Sequence, residues 1–312
     1  MQRNRYWGLA VLATIIALLP LTFPNNFYYD IAILAGFNAI VCVGLNLLIG
    51  YAGQISLGHA GFFALGAYAS GILTTRYGVP PTLALVAGAV MVGLLAVLLA
   101  RPILRLKGHY LAMATLGVGV IISIVLNTEA WLTGGPDGLT TAAFSVAGYE
   151  IEGERTWYWL VGGLLLVAVW LSMNIIDSPI GRALRALHGS EVGAEVVGVD
   201  TTRFKVLVFV ISAVYASVVG SLFAHYVGLM TPGNAGFMKS VELVAMVVFG
   251  GMASIFGAVV GAGILTALPQ LLATLHDYEA MVLGGILMGT MIFMPRGLLP
   301  TLVRVIRRWG QA

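Results

Sequence analysis

Residues 82–100 read TLALVAGAVMVGLLAVLLA, an apolar run without one charged side chain. The hydrocarbon core of a bilayer is ~30 Å thick, and a helix of ~20 mostly apolar residues is needed to cross it. Runs of this kind recur along most of the chain. We therefore take lipid, and not water, as the solvent of this fold.

The composition of the whole chain agrees with that prediction. Its 312 residues are 59% hydrophobic and only 9% charged, with 40 glycines, and the mean hydropathy is +0.96. Soluble domains carry roughly 25% charged residues. A water-soluble fold could not cover its surface with so few charges.

We predict an all-α, polytopic transmembrane helix bundle that forms one domain over residues 1–312. About ten runs are long enough to span, and eight spans are the alternative if the Gly-rich runs are re-entrant. The first run resembles a signal peptide, but no small-residue cleavage site follows it, so we expect a retained span. The runs lie at about 8–24, 31–50, 59–75, 82–100, 108–127, 157–176, 206–230, 240–256, 257–275 and 280–295.

Basic residues are distributed unevenly between the connections. If the amino terminus is cytoplasmic, alternation of an even number of spans leaves only Arg76, Arg155 and Lys239 outside. The opposite orientation would violate the positive-inside tendency, so both termini are predicted to be cytoplasmic. The residues placed inside are Arg3, Arg5, Arg101, Arg105, Lys107, Arg182, Arg185, Arg203, Lys205, Arg296, Arg304, Arg307 and Arg308.

This topology gives two long polar connections. Residues 128–156 are acidic and face the periplasm or cell exterior, and their Gly135-Pro136-Asp137-Gly138 sequence is typical of a tight turn in an ordered loop. A solvated connector is the simpler interpretation. Residues 177–205 are cytoplasmic.

The basic, amphipathic tail at 302–309 is suited to contact membrane lipids.

The cytoplasmic connection contains a predicted helical segment from Pro179 to Gly198. Glu191 and Glu195 are spaced i,i+4 on one helix face, and Arg182 and Arg185 precede them at i,i+3. A short, charged helix between spans is suited to dock into a partner protein. An ordinary solvated loop helix is the alternative.

The segment Gly50 to Gly61, GYAGQISLGHAG, places four glycines and three polar side chains between apolar flanks. Non-helical backbone at membrane depth is tolerated only against protein or a water-filled cavity. We predict a broken or re-entrant helix beside a translocation path lined by Gln54, Ser56 and His59. The alternative is tight helix packing, with these polar side chains bonded to neighbouring helices.

A weak echo of this segment occurs late in the chain, where GMASIFG at 251–257 resembles GQISLG at 53–58 with one inserted residue. Paired, Gly-interrupted segments often mark a substrate path in transporters. Glu242 is a further candidate for that path, because it lies at the start of an apolar run. An interfacial pair with Lys239 is the alternative.

The sequence contains no recognisable motif for catalysis. HExxH, GxSxG and the GxxxxGK[ST] phosphate loop are all missing from it. Cys42 is the single cysteine and the five histidines are scattered, so no metal cluster is expected. We expect a chain that is not an enzyme, holds no cofactor and binds no nucleic acid. An ATP-driven motor would have to lie on another protein.

Five stretches match one known family in order and spacing, and together they cover most of the chain. They are Gly50 to Ala69, Lys107 to Gly117, Thr133 to Leu139, Ser178 to Ile211 and the Gly-rich Val247 to Pro269. With these stretches the chain resembles the LivM-type permease subunit of bacterial ABC importers for branched-chain amino acids.

The resemblance implies that Arg182 to Gly198 is a degenerate EAA-type coupling helix, which docks into a groove of a separate nucleotide-binding subunit. The coupling residues would be Arg182, Arg185, Glu191, Glu195 and Gly198. The sequence departs from the family pattern where alanines are common, at Gly193, Val196 and Val197.

The resemblance also implies partners and a location. The chain would pair with a LivH-type permease in the bacterial inner membrane, together with two cytoplasmic ABC ATPases of the LivG/LivF type and a periplasmic amino-acid-binding protein. ATP and Mg²⁺ would bind only to the ATPases. The alternatives are a urea or short-amide permease of the same family, an ion-coupled secondary transporter, and a membrane-embedded enzyme. A secondary transporter should show more buried titratable residues than this chain offers.

Overall fold

The computed structural model describes residues 5–146, 148–271, 279–294 and 297–309. Its elements confirm the all-α prediction. The longer helices are α1 (Arg5–Leu18), α2 (Asn26–Asn46), α3 (His59–Tyr77), α4 (Pro81–Ile103), α5 (His109–Thr128), α7 (Glu154–Asp177), α8 (Pro179–Gly189), α10 (Thr201–Val227), α11 (Phe237–Gly250), α12 (Ile255–Leu271), α13 (Glu279–Phe293) and α14 (Leu298–Trp309). The short helices are α6 (Ala130–Thr133) and α9 (Glu191–Val196).

Every predicted apolar run overlaps one of these helices. Among the described residues, five helices are long and apolar enough to cross a membrane by length and composition. They cover Asn26–Tyr51, Pro81–Ile103, His109–Thr128, Glu154–Asp177 and Thr201–Val227, and the shorter apolar helices are Tyr6–Thr22 and Ile255–Gln270. The chain is thus a multi-pass membrane protein.

The division between the approximate runs at 240–256 and 257–275 lies a few residues earlier in the structure, because α11 ends at Gly250 and α12 starts only at Ile255. Gly251 has φ of 124° and Ala253 has φ of 58°, and neither value fits a right-handed helix. The backbone of these two residues therefore breaks the run.

The chain divides into two compact units. The first contains the described parts of 1–46, 153–175 and 245–312. Helix α2 packs along α12 in this unit, and Asn38 Nδ2 donates to Thr266 Oγ1 at 2.9 Å between them. Tyr158 also donates to the carbonyl of Ile16 at 2.6 Å. Both of these polar side chains thus have an acceptor within the unit, as an apolar surrounding requires.

The second unit contains 47–152 and 176–244, with α3 packed against α10 and α4. Glycines allow this close approach. A Cβ at Gly66 would fall on the backbone of Ser217, and a Cβ at Gly220 would fall on the carbonyl of Phe63. Small residues at helix interfaces are the usual means by which membrane helices pack tightly.

The acidic connection after α5 contains short elements of secondary structure. A 3₁₀ turn at Gly135–Asp137 follows α6, and three two-residue strands follow it, β1 (Leu139–Thr140), β2 (Ser145–Val146) and β3 (Tyr149–Glu150). Strand β1 pairs antiparallel with β4 (Leu229–Met230), directly after α10. The connection is therefore attached to the end of α10.

Candidate translocation and coupling sites

Helix α2 is interrupted where the sequence predicts a broken helix. A π turn at Leu47–Tyr51 ends the helix, and the chain then runs without helix until α3 starts at His59. Gly53 has φ of 69°, and its N–H donates to the carbonyl of Ile49 at 3.2 Å. This is a left-handed glycine cap, which ends a helix at little steric cost. We name residues 52–58 the break.

Two of the predicted path residues belong to one chain of hydrogen bonds. Ser56 Oγ lies 2.9 Å from His59 Nδ1, and His59 Nε2 lies 2.7 Å from Ser212 Oγ on α10. All three side chains are buried. The His59 ring also forms T-shaped contacts with the rings of Phe62 and Phe209. Ser56 and His59 thus show the bonding that tight helix packing predicts.

Side chains from two other helices satisfy one backbone group of the break and one of the first turn of α3. Thr115 Oγ1 of α5 accepts from the N–H of Leu57 at 3.0 Å, and Ser240 Oγ of α11 accepts from the N–H of Ala60 at 3.1 Å. The first turn of a helix has N–H groups without partners inside the helix. These hydroxyls supply such partners where water is scarce.

Gln54 differs from its neighbours. Its side chain is 4% exposed, yet neither Nε2 nor Oε1 has a hydrogen-bond partner within the described part of the chain. A buried amide left unpaired costs about 1–3 kcal/mol. Of the three predicted path residues, Gln54 is therefore the one that can still bond to a passing solute or to water.

The predicted helix from Pro179 to Gly198 is wrong as a single helix. It consists of α8 and α9, which are separated at Ser190. Ser190 is extended, with φ of −163°, and its Oγ accepts from the N–H of Gly193 at 3.1 Å. A serine in this geometry starts a new helix. We name α8 and α9 together the coupling segment.

The two glutamates of the coupling segment point toward their own chain. Glu191 Oε1 lies 2.5 Å from Lys205 Nζ on α10, and Oε2 lies 3.6 Å from Lys107 Nζ. Glu195 Oε1 accepts from Thr201 Oγ1 at 2.8 Å. The i,i+4 spacing places both glutamates on one face, which contacts α10, although Glu195 is also exposed to solvent.

The other predicted coupling residues are exposed. Arg182 and Arg185 both lie at the surface of α8, and Arg185 Nη1 also donates to the carbonyl of Ile176 at 3.0 Å. Gly198 has φ of 81° just after α9. Its conformation suits the glycine that ends a helix.

Three valines, which sequence reasoning did not select as contacts, form the exposed surface of α9 and its end. Val192 is 64% exposed, Val196 81% and Val197 74%. We name these residues the valine tip. The departure of Val196 and Val197 from alanine is a signal in the sequence, because larger apolar side chains at exposed positions increase the area that a partner can bury.

The break and the coupling segment are in contact. A Cβ built at Gly53 would lie 2.8 Å from Nδ1 of His188, near the end of α8. The break therefore lies beside the coupling segment, which the sequence did not suggest because the two are far apart along the chain.

Glu242 forms an ion pair with Lys239, which is the alternative to a place on the translocation path. Its Oε2 lies 3.1 Å from Lys239 Nζ, and its side chain is 45% exposed. Its place on a path stays a prediction. Among the described residues, no three His, Cys, Asp or Glu side chains cluster as metal ligands would.

Asn46, Lys205 and Ser212 were missed as site residues. Each is a buried polar residue in or beside an apolar run, and that is the signal that could have identified them. Asn46 bonds to the later interruption between α11 and α12, at Ala253 and Ser254.

Comparisons with known proteins place these features in a family. The family model described as branched-chain amino acid transport system / permease component matches residues 27–293. The chain is 34% identical to the high-affinity branched-chain amino acid transport system permease protein LivM of Escherichia coli (strain K12), over 87% of this chain and 69% of that protein.

Two further relatives are more distant. LivH, a permease protein of the same kind of system in the same strain, is 26% identical over 84% of this chain and 90% of its own length. The autoinducer 2 import system permease protein LsrC of Yersinia pseudotuberculosis serotype O:1b is 27% identical over 61% of this chain and 54% of its own. No solved structure matches. The chain belongs to the family of permease components of branched-chain amino acid transport systems.

Proposed function

We propose that the chain is a transmembrane permease subunit of an ATP-driven importer that carries branched-chain, hydrophobic amino acids across the bacterial inner membrane. The observation that carries this proposal is the 34% identity to LivM over 87% of the chain. Because the chain also resembles LivH, we propose a LivH-type permease as its partner in a heterodimer.

The motor is proposed to lie on two cytoplasmic ATPases of the LivG/LivF type, which bind ATP and Mg²⁺. The absence of a phosphate loop from the sequence supports this division of labour. Closure of the ATPases around ATP would push on the coupling segment. The membrane bundle would then switch between outward- and inward-facing states.

The ATPase contact is proposed to be apolar at its centre. The valine tip would insert into the partner's groove, with Arg182, Arg185 and Gly198 at its margin. Glu191 and Glu195 would not contact the ATPase, but would hold α9 against α10. The exposure of the valines and the internal bonds of the glutamates support this arrangement.

The proposed topology has ten spans, with both termini and the coupling segment in the cytoplasm. The distribution of basic residues supports it. The acidic connection at 128–156 would then face the periplasm, where a binding protein delivers the amino acid. Its attachment to the end of α10 would link that delivery to the helix that the coupling segment contacts.

Gln54, Ser56 and His59 are proposed to line the cytoplasmic end of the translocation path. The free amide of Gln54 can both donate and accept, which suits a zwitterion with an ammonium and a carboxylate. Glu242 is proposed at the margin of the path, because its ion pair leaves it half exposed. No tight site is expected here, since selectivity would reside in the binding protein.

The test is uptake of radiolabelled leucine by proteoliposomes that contain the chain with its co-expressed permease, ATPases and binding protein. We expect uptake that needs ATP and persists when the proton and sodium gradients are collapsed. Uptake of urea or acetamide in preference to leucine would favour the short-amide alternative. Gradient-driven uptake without ATPases would overturn the proposal in favour of a secondary transporter.

A further inference from the structure

The coupling segment is connected to the rest of its unit by a buried charge. Lys205 is only 5% exposed, and its ammonium lies 2.5 Å from Glu191 Oε1. The carboxylate of Glu191 is 24% exposed, so the pair is partly buried, and a buried cation is destabilised when its partner is removed. The pair therefore holds α9 against the first turns of α10 much more firmly than a surface ion pair would.

Lys107 provides a comparison at the same carboxylate. Its ammonium lies 3.6 Å from Glu191 Oε2, but its side chain is 66% exposed. Water and salt screen such a pair, and its loss changes little. Of the two lysines beside Glu191, only Lys205 is placed to fix the coupling segment.

The same helix is bonded to His59 at the start of α3, and His59 is bonded in turn to Ser56 of the break. Ser212 lies seven residues after Lys205, which is about two helical turns, or roughly 10 Å, along nearly the same face of α10. Its Oγ lies 2.7 Å from His59 Nε2. A displacement of the start of α10 would therefore be carried along the helix to Ser212, and from there through His59 to Ser56 of the break.

A second contact completes the connection. His188 of α8 lies directly against Gly53 of the break, where even a methyl group would be 2.8 Å from its Nδ1. The coupling segment thus contacts the break directly, and it also contacts the break through α10. Three parts of one unit are joined in a closed loop, with Gln54 inside the break.

We infer that Glu191 and Lys205 are positioning residues that make the coupling segment, α10 and the break move as one body, so that a push on α9 reaches the buried amide of Gln54. This inference rests on the proposed function. The pair would determine how much leucine is transported per ATP hydrolysed. Neither residue would contact the ATPase or the substrate.

The experiment compares Glu191→Lys, Lys205→Glu and the double exchange in the complete reconstituted importer, with Lys107→Glu as the matched control. Leucine uptake and ATP hydrolysis are measured on the same vesicles, and the amount of chain in the membrane is measured by immunoblot. We expect each single exchange to lower leucine transported per ATP by at least about tenfold, because it places two like charges together in a partly buried site.

The double exchange should recover most of the ratio, and Lys107→Glu should retain it. If a single variant does not accumulate in the membrane, the double exchange is the deciding variant. A normal amount of chain in the membrane with a normal ratio of leucine transported per ATP supports the inference. A normal amount of chain with a low ratio overturns it. Normal ratios in both single variants would also overturn it. Absence of leucine uptake by the unaltered complex would instead contradict the proposed function, and the inference with it.

Discussion

The side-chain amide of Asn46 donates a hydrogen bond of 2.8 Å to the carbonyl of Ser254, far along the chain. The oxygen of the same amide accepts a bond of 3.0 Å from the N–H of Ala253. Asn46 is the last residue of α2 and is fully buried. One side chain therefore satisfies two backbone groups at the interruption between α11 and α12, where Ala253 is held at φ of 58°.

We expect Asn46→Leu to destabilise the first unit by about 1–3 kcal/mol, because the N–H of Ala253 would lose its partner, whereas the carbonyl of Ser254 would still accept from the N–H of Ala258. The measurement is the midpoint of thermal unfolding in detergent, followed by size-exclusion chromatography. Asn26→Leu is the control, since its amide bonds to Glu154 at an exposed site. Equal midpoints for the two variants would contradict a special role for Asn46.

The close packing of α3 on α10 gives a second prediction. A Cβ at Gly220 would fall on the carbonyl of Phe63, and backbone cannot move aside as a flexible side chain can. Gly220→Ala should therefore lower stability by about 1–3 kcal/mol in the same assay. Gly117→Ala in α5 is the matched control, because nothing lies within 4 Å of its added methyl group. Its higher helix propensity should leave stability unchanged or raise it by up to ~1 kcal/mol.

Much of the fold could be predicted because the signal is local. The apolar run at 82–100 coincides with α4 at Pro81–Ile103, since length and hydropathy decide whether a segment spans lipid. The break was predictable for a related reason. Gly53 takes a backbone angle that other residues avoid, and clustered glycines and polar residues indicate such a place.

The contacts of the coupling segment could not be predicted in the same way. The spacing of Glu191 and Glu195 shows that they share a face, but only the packing of α9 on α10 decides where that face points. The separation of α8 from α9 was open to prediction. Ser190 follows Gly189 and precedes a glutamate, a combination that commonly ends one helix and starts another.

The variant Gln54→Met distinguishes a role of Gln54 in translocation from a role in packing. Methionine fills a similar volume without polar atoms, so removal of an unpaired buried amide should leave stability unchanged or raise it by about 1 kcal/mol. Leucine uptake should nevertheless fall by about three- to tenfold, the equivalent of one lost hydrogen bond to the solute. Uptake is measured in proteoliposomes and stability by thermal unfolding. Unchanged uptake would remove Gln54 from the path, and a large loss of stability would show that its amide is bonded within the protein.

The valine tip gives the last prediction. Val196 and Val197 are 81% and 74% exposed, so Val196→Asp with Val197→Asp should leave the chain folded and inserted in the membrane. Docking into an apolar groove would bury these carboxylates without partners, at a cost of several kcal/mol. We expect at least about a tenfold loss of ATPase subunits that co-purify with the chain. Val146→Asp, at a half-exposed valine of the acidic connection, is the control and should retain the ATPases. Full retention by the double variant would mean that the ATPases contact another face, and the exposed arginines of α8 would then be the next residues to change.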